Sequence, residues 1–298
     1  MTTEEYLLQW LQTFVEPFRA ASTAACYRRA INALPAALAQ CPLDQLNGLM
    51  IQAHLNTQAR KHPRAAQLTF ATLHVALAKA VDLGLVVRSP LSGCVKPQHM
   101  PKRADVLTPA QLAQYIQAAK GHSAFPLLLL MAACGLRRGE ALGLMWQDIS
   151  GDLLQVRRQR IRISGKYQVA PLKSKASARV LPLAAPILEE LQAVRVRSFS
   201  GWVCDCTPEA LRKQHMAALA AAGLPAVTLH GLRHSMATAA AADGCPIKIL
   251  QNILGHARYQ LTADLYADHL QPSNLAPSLA NLAGVLMQKA HDWKSCLR

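Results

Sequence analysis

The sequence predicts a mainly α-helical protein of the α+β class. It comprises an N-terminal four-helix domain and a larger, mostly helical domain with a small three-stranded antiparallel sheet. Three observations predict this. Apolar residues recur at helical spacing through the first 92 residues. A proline-containing basic stretch then interrupts the pattern. The apolar period switches to two only after Trp146.

The elements follow in order. Helices are predicted over Tyr6–Phe14, Thr23–Leu38, Leu43–Ala59 and Ala65–Leu85, the last ending beside Gly84. Residues 93–104 read as a basic interdomain linker carrying Lys96, Lys102 and Arg103. The domains are therefore placed at 1–92 and 105–298. Thr108 suits a helix N-cap, Pro109 the first helical position, and Gln111 a capping box. An apolar helix is expected from about Ala124 to Ala133. Strands are expected over Leu153–Ile163, Gln168–Leu172 and Arg179–Leu183, with Gly165-Lys166 marking a turn. Helices resume over Ala184–Arg197, after the Thr207-Pro208 cap signal, and from Leu229 to the end.

Composition narrows the function. Apolar residues are 51% of the chain and charged residues 16%, which excludes a disordered or collagen-like chain. The formal net charge of +15 points to a polyanionic partner, nucleic acid first and an anionic membrane surface second. The opening MTTEEYLLQW lacks a basic segment followed by an apolar one, so no secretory leader is expected. The most apolar run, Phe125–Leu136, has 12 residues. A membrane span needs about 20, so a buried core helix is the expectation. The eight cysteines are scattered without a CxxC pair and read as reduced core thiols of a cytosolic protein. Cys204, Cys206 and His215 make only a partial zinc set, lacking a fourth ligand and a usual spacing.

Four islands in the second domain carry chemistry: ACGLRRGEALGL with Arg137, PLKSKASARVLPL with Lys173 and Lys175, LHGLRHS with His230 and Arg233, and LGHARYQLTADLYADH with His256 and Tyr266. Singly, each has a plain structural reading as a helix cap, a solvated hairpin lysine, a structural histidine or a core tyrosine. His230 and His234 also sit four apart, as zinc ligands on a helix can, but position 231 is glycine where a metalloprotease needs Glu. Together the residues suit a phosphodiester. Arginine forks bind phosphate oxygens and stabilise charge as it develops. A tyrosine hydroxyl can act as nucleophile. A lysine or histidine can move the protons. With no carboxylate cluster for Mg²⁺ beside them, cleavage is expected to need neither metal nor cofactor.

In this order the islands resemble the tyrosine recombinase family, also called the phage integrase family, whose pattern is Arg, Lys, His-x-x-Arg, His or Trp, Tyr. The motif resemblance covers roughly residues 105–285, and the N-terminal helices fit the family's helical core-binding (SAM-like) domain. It implies a DNA breaking-rejoining catalytic domain with Arg137, Lys173, His230, Arg233 and His256 around the phosphate and Tyr266 as nucleophile. Lys175 competes with Lys173; Tyr259 lies too close to His256 to be the nucleophile. The two domains would clamp duplex DNA, with Lys96, Lys102, Arg103 and Lys175 as further DNA contacts. The resemblance implies a 3′-phosphotyrosine intermediate, a homotetramer on two recombination sites, and cytoplasmic action at the nucleoid; it leaves a DNA-bending accessory protein open. The apolar stretch Ser278–Ala290 would dock on a neighbouring protomer or fold back on its own.

The KSKASAR box favours a mobile-element or phage integrase over an Xer-type dimer-resolution recombinase, which usually shows Gly-Lys-Gly there. No separate arm-binding domain is expected ahead of the helical bundle. A type IB topoisomerase and a non-catalytic DNA-binding regulator stay open as alternatives; the regulator would lack a catalytic residue, and all six positions are filled.

Overall fold

The computed structural model describes residues 1–99, 105–163, 166–172, 174–195, 201–260 and 262–263. The chain divides into two compact units, Met1–Lys102 and Arg103–Arg298.

In the first unit, α1 (Thr3–Trp10) starts on a Thr2 capping box and continues into a π turn over Leu11–Val15. It is followed by α2 (Ala21–Asn32), α3 (Ala36–Ala39), α4 (Gly48–Lys61) and α5 (Pro63–Asp82). Four long helices are present, with two departures from the sequence reading. The expected Thr23–Leu38 helix breaks before Pro35, which has no N–H to continue the ladder and becomes the N-cap of the short α3. The expected Leu43–Ala59 helix starts later, because Asn47 caps it by accepting from Met50 N at 3.1 Å. Tyr6, Leu7, Trp10 and Leu11 pack against Ile51, Leu55 and Leu77 in the core. Tyr6 OH donates to Ala76 O at 2.6 Å and ties α1 to α5. The stretch holding Lys96 lies against the helices: Val95 N donates to Gln52 Oε1, and Gln67 Nε2 donates to Pro97 O. Residues 100–104, with Lys102 and Arg103, fall outside the described residues.

The second unit opens with α6 (Pro109–Ala119), capped by Thr108 and Gln111 in the expected box. Next comes α7 (Phe125–Cys134), nine of whose ten residues are buried. A helix apolar all round must sit inside, and α7 is the centre of this core, contacted by α6, by α9 (Ala185–Arg195) and by α11 (Leu229–Ala242). Between them come α8 (Arg138–Leu142) and α10 (Pro208–Ala221), which is capped by Thr207; α12 (Ile247–Leu254) follows.

The strands are β1 (Ile149–Ser150), β2 (Leu153–Val156), β3 (Arg158–Ile163), β4 (Lys166–Pro171) and β5 (Arg179–Pro182). They form an antiparallel sheet in the order β1-β2-β5, with Leu154 opposite Leu181, and a separate β3-β4 hairpin. The sequence reading joined β2 and β3 into one strand. Arg157 and Arg158 both bind the buried Asp148 carboxylate. Successive side chains of a regular strand point to opposite faces, so two neighbours gripping one carboxylate break it there.

The cysteines also differ from expectation. Of the seven described, all free thiols, only Cys134 is buried and the rest are half-buried. Cys296, Ser278–Ala290 and the whole chain after residue 263 lie outside the described residues. No described helix is long and apolar enough to cross a membrane.

Candidate active site

The site begins where α7 ends. Gly135 takes a left-handed conformation, φ +62°, which reverses the chain after the buried helix. Leu136 returns to the core and Arg137 emerges at the N-cap of α8. Glu140, three residues on and 2% exposed, closes the turn. Its Oε2 accepts from Arg137 N at 2.9 Å and its Oε1 from Arg137 Nη1 at 2.7 Å. The same carboxylate accepts from Arg179 Nη2 at 2.9 Å. Burial pushes the Glu140 carboxyl up, but the hydrogen bonds and charge of Arg179 and the hydrogen bonds of Arg137 outweigh it and hold it below its ordinary value.

Arg233 reaches the same place from α11 and is buried. It donates to Gly135 O at 2.7 Å and to Leu254 O at 2.6 Å. Arg137 Nη2 donates to the next carbonyl, Gly255 O, at 2.9 Å. Two guanidinium groups therefore rest on consecutive carbonyls at the end of α12, where Gly255 is left-handed at φ +62°. These contacts use two of the five N–H donors of each arginine. Burial first, and then the charge of Arg137, brings Arg233 down to about 9, still cationic at neutral pH. Two cations pressed together in a partly desolvated site favour an anion between them.

Both histidines flank these arginines. His230, one turn before Arg233, faces the cleft and meets the edge of His234 at 4.4 Å between ring centroids. His256 follows the Gly255 cap, and its Nδ1 pairs with the buried Thr262 Oγ1 at 2.9 Å. Desolvation and the neighbouring cations bring each histidine to about 4, so both are neutral at pH 7. In the tautomer where Thr262 Oγ1 is the donor to Nδ1, His256 carries its proton on Nε2, where it can be donated.

A cleft of about 690 Å³ opens over this group, walled by Arg137, Glu140 and His230 on one side and Arg160, Arg162 and Tyr167 of the hairpin on another. Arg158, Arg160 and Arg162 alternate along β3 and so share one face. Arg160 pairs with Asp205 at 2.8 Å and lies over the Trp202 ring; Tyr167 OH donates to Glu209 Oε1 at 2.5 Å.

The structure thus brings together Arg137, His230, Arg233 and His256. Lys173 and Tyr266 lie outside the described residues; Lys175 opens the 3-10 turn Lys175–Ser177, whose Ser177 lines the cleft. Lys96 belongs to the first unit. The sequence reading noted Glu140 only as standing three residues after Arg137, and it gave neither Glu140 nor Arg179 a role. Glu140 had a signal, its capping-box spacing from Arg137; Arg179 had none beyond its place in the strand pattern. The partial zinc set does not assemble, since His215 engages Tyr115 OH at 2.8 Å and Val227 O at 2.9 Å.

Residues 105–272 match the phage integrase family. The chain belongs to that family. Among its relatives is a XerC-like tyrosine recombinase of Caldanaerobacter subterraneus subsp. tengcongensis, 27% identical over 68% of this chain and 61% of that protein. The integrase of Mycobacterium phage D29 is 27% identical over 96% of this chain and 80% of its own. The chain therefore spans about six-tenths of the first relative and four-fifths of the second. In fold it is similar to the Tn1549 transposon integrase solved with a circular intermediate DNA, at a TM-score of 0.79 and 19% identity, over 94% of this chain and 99% of that one. In this phage integrase family member, the first arginine box follows the C-terminal end of α7 and the second lies in α11; Arg137 and His230 from these boxes line the cleft just described.

Proposed function

We propose that this chain is a site-specific DNA recombinase that cleaves and rejoins duplex DNA through a 3′-phosphotyrosine on Tyr266, integrating or excising a mobile element. One observation carries the reading: Arg137 and Arg233, docked on the carbonyls of Leu254 and Gly255, with neutral His230 and His256 beside them. The arginines hold the nonbridging oxygens of the scissile phosphate and stabilise the charge of the pentacoordinate state. Tyr266 attacks phosphorus; the bond to the 5′-oxygen breaks, and Lys173 gives that oxygen its proton. His230, neutral at pH 7, accepts the tyrosine proton. His256 donates a hydrogen bond to the phosphate. The phosphotyrosine preserves the energy of the cut bond, so the 5′-hydroxyl of a second strand reseals it without a cofactor.

The first unit serves as the core-binding domain, and Lys96, Lys102, Arg103 and Lys175 add phosphate contacts, so affinity falls as salt rises. The working assembly is a homotetramer on two sites, acting at the nucleoid in the cytoplasm. The likeness to XerC-like recombinases supports a second reading, dimer resolution, while the KSKASAR box supports integration.

Covalent trapping tests the proposal. A nicked duplex built from the junction sequences flanking the gene loses its 5′-hydroxyl strand after cleavage. Wild type and Tyr266→Phe are incubated with it in EDTA and run on a denaturing gel. A shifted protein–DNA band in wild type alone is the expected result. A band in both moves the nucleophile, to Tyr259 first; binding without a band in either, together with failure to relax supercoiled plasmid, returns the regulator reading.

A further inference from the structure

Arg179 lies at the crossing of the three segments that carry the boxes of the site. Its Nη1 donates to Ser177 O at 2.9 Å, within the loop that follows Lys173 and Lys175. Its Nη2 donates to Glu140 Oε2 at 2.9 Å, beside the Arg137 contacts. Its Nε donates to Ile253 O at 2.6 Å, at the end of α12 just before His256. The side chain is 6% exposed, so it supports the wall of the cleft and does not reach a bound phosphate. Packing at this crossing is tight: a Cβ on Gly255 would stand 3.0 Å from Ala176 O and 3.1 Å from Arg179 Nη1.

Resting on the recombinase reading above, we propose that Arg179 is a positioning residue: it fixes the Glu140 carboxylate that helps aim Arg137 and, with the same guanidinium, fastens the stretch of residues 174–177 to the His256 turn. Glu140 Oε2 is shared between Arg137 N and Arg179 Nη2, so Arg179 sets the rotation of the carboxylate whose other oxygen holds Arg137 Nη1. A planar fork can serve three acceptors in fixed directions, whereas a lysine ammonium is a single point charge on a flexible stem. Arg137 is 34% exposed and is held at two points, Glu140 Oε1 and Gly255 O, so this relay sets one of the two contacts that fix its direction.

A second consequence gives the test a readout that packing alone does not move. Burial favours the protonated Glu140, and Arg179 is the foremost group opposing it. Arg137 on its own turn and Arg179 from β5 act on the carboxyl directly, Arg233 from α11 interacts with its charge, Arg160 of β3 lines the same cleft, and the Cys134 thiol at the end of α7 lies in the field of Arg179. Removing Arg179 lets Glu140 take a proton as the pH falls, and a neutral carboxyl no longer holds the Arg137 cation. His230 and His256 titrate in every variant and cancel in the comparison.

The experiment uses the full chain on the nicked junction duplex. Single-turnover covalent trapping is followed against pH for wild type, Arg179→Met, Arg179→Lys and the Glu140→Gln/Arg179→Met double variant, with DNA affinity and thermal melting measured alongside. Arg179→Met is expected to bind DNA like wild type and to cleave about 10²-fold more slowly, the cost of a misplaced catalytic group. Beyond the acid limb that His230 gives every variant, its rate profile gains a second limb that wild type and the double variant lack, and Arg179→Lys recovers part of the rate. Cleavage at the wild-type rate, or a loss with no new limb and no recovery in Arg179→Lys, overturns the proposal. If Arg179→Met does not melt cooperatively, Arg179→Lys decides: a wild-type rate and profile refute the positioning role. A wild-type chain that forms no covalent band overturns the recombinase reading itself, and the positioning role falls with it; a wild-type band with unaffected Arg179 variants overturns the positioning role alone.

Discussion

Glu140→Gln is the most informative single perturbation of the site. The carboxylate is 2% exposed and pairs with two arginines, of which Arg179 is 6% and Arg137 34% exposed. Removing one member of a buried ion pair costs about 3–5 kcal/mol, because the partner stays buried and unpaired. Here only Arg179 is left fully buried, and the glutamine amide still offers one acceptor, so the loss belongs at the lower end, about 3 kcal/mol. For a unit of nearly two hundred residues each kcal/mol moves the melting temperature by about 2–4 °C, which gives a drop of about 6–12 °C. Circular dichroism melting at neutral pH measures it. The double variant with Arg179→Met should lose less than the sum of the single losses, since no unpaired charge then remains. The pH dependence has a definite sign. The folded-state value of Glu140 is depressed, so its contribution is complete above the ordinary carboxylate range and is lost as pH falls through the folded value. Glu140→Gln should flatten that acid slope. A melting drop under about 2 °C, or strict additivity in the double variant, would refute the claim that the carboxylate is the hub of the site.

Three further outcomes follow from the same geometry. His230 and His256 are depressed to about 4 from an ordinary 6.5, so the unfolded chain binds more protons between those values. Stability is complete above 6.5 and falls as pH is lowered toward 4; urea midpoints across that window should show the slope, and His256→Gln should reduce it. Gly255→Ala places a side chain at φ +62° against Ala176 O, at a cost of about 1–2 kcal/mol for the left-handed backbone plus the steric contact, read from urea unfolding. Glu209→Gln removes an exposed carboxylate near Arg138 and Arg162, so fluorescence anisotropy should show tighter DNA binding with a steeper salt dependence.

Much of the scaffold was legible because it is local. Thr108, Pro109 and Gln111 formed their box within four residues, and the all-apolar Phe125–Cys134 run could only be a buried helix. What escaped depends on distant partners. Nothing near Arg157 marks the strand break, which is set by Asp148 from another segment. Pro35 is the exception, a local breaker missed because the apolar pattern continues in phase on both sides and periodicity alone ran through it. At the site, the residue types were readable one box at a time, but the relay through Arg179 joins residues 39 and 74 positions apart and exists only once α8, β5 and α12 are packed.

That packing explains how the site can stay cationic and still be built. Arg137, Arg179 and Arg233 bring three positive charges against the single carboxylate of Glu140. Further carboxylates would relieve the repulsion and also cancel the attraction for a phosphate. The fold uses carbonyls instead. Gly135 ends α7 and Gly255 ends α12 in the same left-handed conformation, and the carbonyls of Gly135, Leu254 and Gly255 receive the guanidinium N–H groups. Helix C-termini carry unsatisfied carbonyls and partial negative charge, so they orient and stabilise a cation without neutralising it. On the proposed reaction, the two glycine caps have a part in the chemistry as well as in the chain path: a rigid pair of arginines, fixed by dipoles and left with net charge, is what a phosphodiester passing to a pentacoordinate state requires.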